Sequence, residues 1–494
     1  MEEIIKTATG ADNVEARESR ALPRVAELRR ALAESETSDV RKSIDALFDH
    51  ATFSELGVYT KRSFSEFAAT GSTNDLEGVI CGYGAIDGRL VFAFGQDLSR
   101  EGGAMDEKHA AKIVALYEKA VSVGAPVVGI FNSIGASIYG GVSSLAAYGR
   151  IMRAVADASG KIPQIAVITG DCTGCAAPLA AMFDFQIAVR GAEYHMQPSE
   201  FGGDNEDNDA LVAFTARDCL SAMRDARILL SYLPSNASDG PLTDHSADDA
   251  NRPIGNVNFG EDVRNVVAAV ADYGVFAEIT AGFAPEMFTA FASIGGVRCG
   301  VVGNLRLGAS DKDNEGRIGA KAARKAARFV SFCDAFSIPL ITLVDTHGFA
   351  LCKDSAPFPY VSSVSSLSFA YAQSKMPKIT VVLGRAIGSA FTIFGSKSIG
   401  ADVVYALDTA EIGPLATDTS VALAWNGLVS EERTREALEN EWRVSLSSPV
   451  AAAFHGEIDD IITVDELRKK IVSAVYMLTA KNLALPKRHP ILPL

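Results

Sequence analysis

The sequence predicts an α/β protein made of two tandem copies of one domain, each with a mainly parallel sheet covered by helices. Three observations carry this: a long-period self-similarity, an alternation of helix-period and strand-like segments, and a glycine turn where strands end. Lys161-Ile-Pro-Gln-Ile-Ala-Val-Ile-Thr-Gly170 aligns with Lys375-Met-Pro-Lys-Ile-Thr-Val-Val-Leu-Gly384, and the match continues through Gly174 with Gly388 and Ala176 with Ala390. Ala125–Gly135 pairs with Ile338–Gly348, setting Asn132 against Asp345. Upstream, Asp49, Phe53 and Glu55 match Asp272, Phe276 and Glu278. The period is far too long for a solenoid, so each copy is a domain-sized unit.

Each copy reads in the same order. A helix with apolar spacing (112–123; 322–336) leads through a proline into a β-branched strand and a polar-glycine turn. A second helix (142–159; 361–374), another proline and another strand (around 165–169; 379–383) then end in a glycine-rich turn entering a helix. Alternating β and α elements imply helices packed on a parallel sheet. Asn236–Pro253, dense in Asn, Ser, Asp, Gly and Pro, reads as a linker, which puts the domains at 1–246 and 247–494. Residues to about Leu47 read as one or two amphipathic helices docking on the outside or on a neighbouring subunit.

Composition narrows the class. A chain of 494 residues with 48% hydrophobic and 22% charged side chains is ordinary globular material of two or three domains. Met1–Arg30 lacks a continuous apolar run, and the apolar runs elsewhere are strand-length, so a cytoplasmic protein is expected. Seven cysteines without framework spacing read as reduced thiols. A formal charge of −15 argues against nucleic acid as a partner.

The turns are the candidate chemistry. Gly170-Asp-Cys-Thr-Gly174-Cys175-Ala176 and Gly384-Arg-Ala-Ile-Gly388-Ser389-Ala390 each carry a strand into a helix, whose first N–H groups lack intrahelical partners and favour an anionic oxygen. Gly135-Ala136 and Gly348-Phe349 fall one β-α unit earlier, so their strands should lie beside the first pair. Amides from adjacent strand ends make an oxyanion hole, and two copies would make two. Taken singly, such turns are more often packing features than sites; recurrence at equivalent points of a duplication favours function.

Several longer stretches resemble one family. Gly82-Tyr-Gly-Ala-Ile-Asp-Gly-Arg-Leu-Val91, Gly102-Gly-Ala-Met105 with His109, Ala326–Leu340, Gly395–Tyr405, Ile458-Asp-Asp-Ile461 and Pro486-Lys-Arg-His489 are similar to the carboxyltransferase subunits of biotin-dependent enzymes. These include propionyl-CoA and acetyl-CoA carboxylases, transcarboxylase, and methylmalonyl-CoA and glutaconyl-CoA decarboxylases; the resemblance runs from about Ser43 to Leu494. It implies tandem crotonase-type β-β-α domains, a hexamer, and an active site between the N-domain of one subunit and the C-domain of another. It also implies an acyl-CoA thioester as substrate and biotin on a separate carrier protein. By position, Gly174 and Cys175 would face the thioester oxygen, and Gly388, Ser389 and Ala390 the biotin ureido oxygen. Gly135, Ala136, Gly348 and Phe349 would flank the substrates. Thr392 falls where the family tunes acyl-chain preference, and a surface or capping threonine is an equal reading.

The chain departs from the family pattern near the expected cavity. Gly174-Cys175 stands for Gly-Gly and Ser133-Ile-Gly-Ala-Ser137 for Ser-Gly-Gly-Ala-Arg. Ser362, Ser363 and Val364 occupy the place of an Arg-His-Gly run, and Gly202–Asp209 replaces Ser-Gly-Val-Ala-His. An altered substrate, or a subunit acting beside a paralogous partner, would explain these. Cys172 and Cys175 form a C-x-x-C without further metal ligands, so small thiols lining a turn are expected and no metal. Asp311–Gly316 begins like a calcium loop but has Ala322 at its twelfth position. The acidic run Asp204–Asp209 reads as a solvated loop, and His347 as a structural hydrogen-bonding residue. With no biotinylation Met-Lys, nucleotide loop or lipoyl-like module, the partners are expected to be a biotin carboxyl carrier protein and biotin carboxylase, or a decarboxylase membrane complex. The alternatives are a decarboxylase subunit running the reverse direction, a non-catalytic scaffold subunit, and a crotonase-type hydratase or isomerase, although the last usually wants an acid beside its hole.

Overall fold

The computed structural model describes residues 38–62, 76–196, 212–255, 262–304, 316–350 and 357–481. Two eight-stranded sheets carry it, and they are built alike. The first holds β1 (Ser54–Leu56), β2 (Val79–Ile86), β3 (Arg89–Gln96), β4 (Val127–Ser133), β5 (Gln164–Thr173), β6 (Phe185–Val189), β7 (Tyr194–His195) and β8 (Phe214–Ala216). The second holds β9 (Phe276–Glu278), β10 (Met287–Ile294), β11 (Val297–Asn304), β12 (Leu340–Thr346), β13 (Lys378–Ile387), β14 (Val403–Leu407), β15 (Glu411–Gly413) and β16 (Asp460–Ile462). The order is β1-β2-β3-β4-β5-β6-β8 with β7 on β5, and β9-β10-β11-β12-β13-β14-β16 with β15 on β13. The first three strands of each sheet are antiparallel and the rest parallel, so the mainly parallel sheet expected from the β-α alternation is present twice.

The matched aspartate ahead of each copy has a physical meaning. Asp49 accepts the Asp87 and Gly88 amides at 3.2 and 3.0 Å across the β2–β3 hairpin turn. Asp272 accepts those of Gly295 and Gly296 at 3.0 and 2.7 Å across β10–β11. Both turns have positive φ at both central positions, the geometry that matches strand twist. An arginine from a later helix holds each aspartate, Arg227 at 2.9 Å and Arg468 at 2.9 Å.

The helices that place β4 and β12 are Glu107–Val123 and Ala320–Ala335; those that place β5 and β13 are Val142–Ala158 and Pro357–Gln373. The first starts on Asp106, whose side chain accepts the His109 amide, and stops at the left-handed Gly124. The helix Asp39–Leu47 buries Val40, Ile44 and Leu47 in an apolar cluster that reaches into both copies, while residues before 38 lie outside the described set. Asn236–Pro253 contains no helix or strand, as its composition suggests, yet it is bound along its length. Ala237 donates to Lys161 O, Asp244 to Gly296 O, and Arg298 to Leu242 O.

One buried apolar cluster spans both copies. Phe185 on β6 meets Phe332 at 4.7 Å and Phe291 at 5.9 Å between ring centroids. The Arg298 guanidinium lies 5.5 Å over Tyr232. Arg328 donates to the Phe183 and Asp184 carbonyls at 3.1 and 2.7 Å, a polar tie between the copies.

Candidate active site

Four turns lie at the ends of β4, β5, β12 and β13. At the end of β4 the Gly135 amide donates to Ser133 Oγ at 3.1 Å, and at the end of β12 the Gly348 amide donates to Thr346 Oγ1 at 3.1 Å. Both glycines take φ near the left-handed side, +109° and +114°. Gly135 O accepts from Met105 N at 2.9 Å, and Ser137 N donates to Met105 O at 2.9 Å. Gly348 O accepts from Ile318 N, and Ala350 N donates to Ile318 O, both at 3.0 Å. In such a bridge the intervening residue turns its N–H to the opposite side. The Ala136 and Phe349 amides therefore face away from the bridge and have no acceptor among the described residues.

The β5 and β13 turns sit against these. A Cβ added to Gly135 would lie 3.4 Å from Thr173 O, and one on Gly348 3.4 Å from Ile387 O, so each pair of turns is in van der Waals contact. Gly174, at φ +58°, leads into Cys175 and the helix Ala176–Ala181; Gly388, at φ +66°, leads into the helix Ser389–Ile393. The Gly388 amide is spent on Gly413 O at 2.8 Å, while those of Cys175, Ser389 and Ala390 have no acceptor among the described residues. These helices are only six and five residues long, so their dipoles are weak and individual N–H groups are what the turns offer. At three of these four turns the glycine amide is taken up internally and the neighbouring residue holds the open amide. Gly174, Cys175 and Gly388 are half-buried, Ala390 is buried, and Ser389 and Thr392 are exposed. Thr392 O accepts the Ser396 hydroxyl at 2.8 Å.

A side chain ties each pair together from below. Asn132 Oδ1 accepts the Asp171 amide at 3.1 Å, and Asp345 Oδ1 accepts the Arg385 amide at 2.8 Å. Both lie where the β4–β5 and β12–β13 registers shift. Gly170 and Gly384 leave room for them, since a Cβ would stand 2.5 Å from Asn132 Oδ1 and 2.4 Å from Asp345 Oδ1.

The two turn pairs differ in charge. The second carries Arg385, whose Nε is 3.4 Å from Glu411 Oε2 and whose guanidinium also meets His347 Nε2. Glu411 Oε1 is held by the Thr417 amide and hydroxyl at 2.9 and 2.6 Å. At the corresponding place in the first copy stand Asp171 and the Glu193–His195 pair, 2.6 Å apart. Sequence reading missed Glu193, His195 and Glu411; extending the self-alignment past Ala176 onto the short strands β7 and β15 is the signal that exposes them. Burial pushes the Cys172 thiol well above its ordinary range, so it is no thiolate and the C-x-x-C lines a turn as expected. The acidic run at 204–209 and the start of the calcium-like loop at 311–315 lie outside the described residues.

Residues 36–198 and 206–491 match the carboxyl transferase domain family. The chain is 34% identical over 482 residues to the methylmalonyl-CoA decarboxylase subunit alpha of Veillonella parvula, covering 92% of each. It is 32% identical over 484 residues to the propionyl-CoA carboxylase carboxyltransferase subunit of Haloferax mediterranei, covering 92% of this chain and 93% of that one. The structure of transcarboxylase 12S, a hexamer with methylmalonyl-coenzyme A and methylmalonic acid bound, superposes with a TM-score of 0.82 at 31% identity over 94% of both chains.

Proposed function

The chain belongs to the carboxyl transferase domain family, and on that premise we propose that it moves a carboxyl group between biotin on a separate carrier and a short-chain acyl-CoA. The N-terminal copy, 1–246, serves the acyl-CoA, and the C-terminal copy, 247–494, serves the biotin. Ala136 and Cys175 donate to the thioester oxygen as it gains enolate charge. Phe349, Ser389 and Ala390 donate to the ureido oxygen as the carboxyl group leaves. Arg385, paired with Glu411, lies on the biotin side. The nitrogen freed on biotin takes the α-proton, so no side-chain base is required.

The observation that carries this reading is the recurrence, in both copies, of two touching turns whose outward amides have no internal acceptor. A transfer that passes through two oxyanions needs two such places, whereas a hydratase or isomerase needs one hole and an acid. A biotin carrier with a biotin carboxylase, or a decarboxylase complex, is the partner set this chemistry requires. The similar transcarboxylase 12S is a hexamer, and in such an assembly the first hole of one subunit would meet the second hole of another. Thr392, exposed two residues beyond Ala390, bears on acyl-chain preference in this reading if the second hole of one subunit faces the first hole of another. Among the described residues no helix is long and apolar enough to cross a membrane.

The test is purified protein with methylmalonyl-CoA or malonyl-CoA and free biotin. Biotin-dependent release of CO₂ is expected. No turnover, together with retained binding to a carboxylase partner, would instead identify a scaffold subunit.

A further inference from the structure

The side chains beneath the first hole extend one residue further than the turns themselves, to the end of β3. Gln96 is buried, and its Oε1 accepts the Asn132 amide at 3.3 Å. Asn132 in turn accepts the Asp171 amide at 3.1 Å, on the strand that delivers Gly174 and Cys175. In the second copy Asn304, at the end of β11, accepts the Asp345 amide at 2.8 Å, and Asp345 accepts that of Arg385 at 2.8 Å. A side-chain amide on the third strand therefore grips the fourth, and the fourth grips the fifth, twice in one chain.

The copies differ in what orients that amide. Asn304 Nδ2 donates to the carbonyls of Asp345 and Gly316, which fixes it locally. Gln96 Nε2 instead meets His109 Nε2 at 3.5 Å. A carboxamide nitrogen only donates, so the imidazole must accept at Nε2 and carry its hydrogen on Nδ1. That atom lies 3.3 Å from Glu77 Oε1, within ion-pair distance but without hydrogen-bond geometry, and the same oxygen accepts the Gly78 amide at 2.8 Å. His109 itself is pinned in the first helical turn by Asp106. Were Gln96 to rotate, its NH₂ would face the Asn132 N–H and the grip on β4 would be lost.

Resting on the two-hole reading above, we infer that Gln96, oriented by the buried His109 ring, is a positioning residue for the thioester-side hole, and that Asn304 is its counterpart on the biotin side. Gln96 is 1% exposed and acts through the turns it holds. It sets the relative height of the β4 and β5 turns, and so the spacing of the Ala136 and Cys175 amides.

The experiment uses the full chain carrying Gln96→Met, which keeps length and volume but neither accepts nor donates, with Gln96→Glu as the conservative variant that still accepts from Asn132. With methylmalonyl-CoA and free biotin, Gln96→Met is expected to lower kcat about tenfold or more while KM for the thioester stays within a few-fold. Gln96→Glu is expected to restore most of the rate. Hydrogen exchange read by mass spectrometry should quicken in peptides covering 126–137 and 164–177 of Gln96→Met and stay unchanged in 378–391. Wild-type kcat with unaltered exchange overturns the inference, as does a rate loss that follows Tm and is not relieved by Gln96→Glu. A wild-type protein with no biotin-dependent turnover would sink the functional reading instead, and the exchange pattern then decides the role of Gln96 alone.

Discussion

Asn132 Oδ1 lies 3.1 Å from the Asp171 amide nitrogen, bridging two parallel strands where their own ladder breaks register. The same bridge joins Asp345 to Arg385 in the second copy, although one acceptor is a neutral amide and the other a carboxylate. What the duplication preserves is therefore the acceptor atom and its height, not the charge. Both bridges exist because the residue beside the donor, Gly170 or Gly384, has no side chain.

Gly170→Ala would push a methyl group to 2.5 Å from Asn132 Oδ1, an oxygen that cannot retreat without releasing Asp171. Gly384→Ala would do the same to Asp345 at 2.4 Å. Each variant is expected to fold, because the neighbouring ladder is intact, and to lose on the order of 10²-fold in kcat through misplaced amides. Steady-state kinetics beside thermal melts will show whether rate falls without a matching fall in Tm.

The Cys175 amide can be removed almost alone. Its φ of −68° is already that of a proline ring, and it stands before the first helical residue, where no intrahelical bond is lost. Cys175→Pro is expected to cut kcat by about 10²-fold, the usual cost of one oxyanion donor. Cys175→Gly retains the N–H and is expected to stay within a few-fold of the parent. Equal activity in the proline and glycine variants would remove Cys175 from the hole.

Much of this was legible in the sequence because a duplication reports twice on every constraint. The alternation of helix and strand, the four turns and the pairing of Asn132 with Asp345 all follow from aligning the chain with itself. What stayed hidden are contacts that need the third dimension. Gln96 and Asn304 differ in length, and their role depends on which strand lies alongside. His109 belongs to a stretch that carries the family resemblance, but its contact with Gln96 shows only when its ring is found buried beside Glu77. The choice between a glycine and its neighbour as the open donor depends on Ser133 and Thr346, hydroxyls that close onto the glycine amide only in the folded turn.

Asp184 should make stability pH-dependent near neutrality. Burial pushes its carboxyl up to about 7 from an ordinary 3.8, against the opposing pull of the Gln164 amide and Arg328. Between those values the folded chain holds a proton on Asp184 that the unfolded chain has lost, so the contribution of this group is full below about pH 4 and is lost as pH rises through about 7. The gap corresponds to on the order of 4 kcal/mol. Asp184→Asn keeps an acceptor for the Gln164 amide and cannot ionise, so it is expected to flatten this slope. Denaturant midpoints compared at pH 5 and pH 8 should show the variant gaining on the wild type at the higher pH; parallel behaviour would refute the assignment.

The two hairpin aspartates form an internal control for burial. Asp272 and Arg468 are 2% and 0% exposed, and the guanidinium also donates to Asp249 O and lies 3.0 Å from Asp248. Asp49 and Arg227 make the same contact at 2.9 Å while 29% and 25% exposed. Although burial works the other way, the Gly296 amide, Arg468 and the Gly295 amide hold the Asp272 carboxyl below its ordinary value. Its contribution is therefore present above about pH 4 and lost as pH falls below that. At pH 7, Asp272→Asn leaves a buried guanidinium short of a partner and is expected to cost about 3 kcal/mol. Asp49→Asn, in contact with solvent, is expected to cost less than about 1 kcal/mol. Similar losses for the two variants in equilibrium denaturation would mean that burial does not set the strength of this repeated pair.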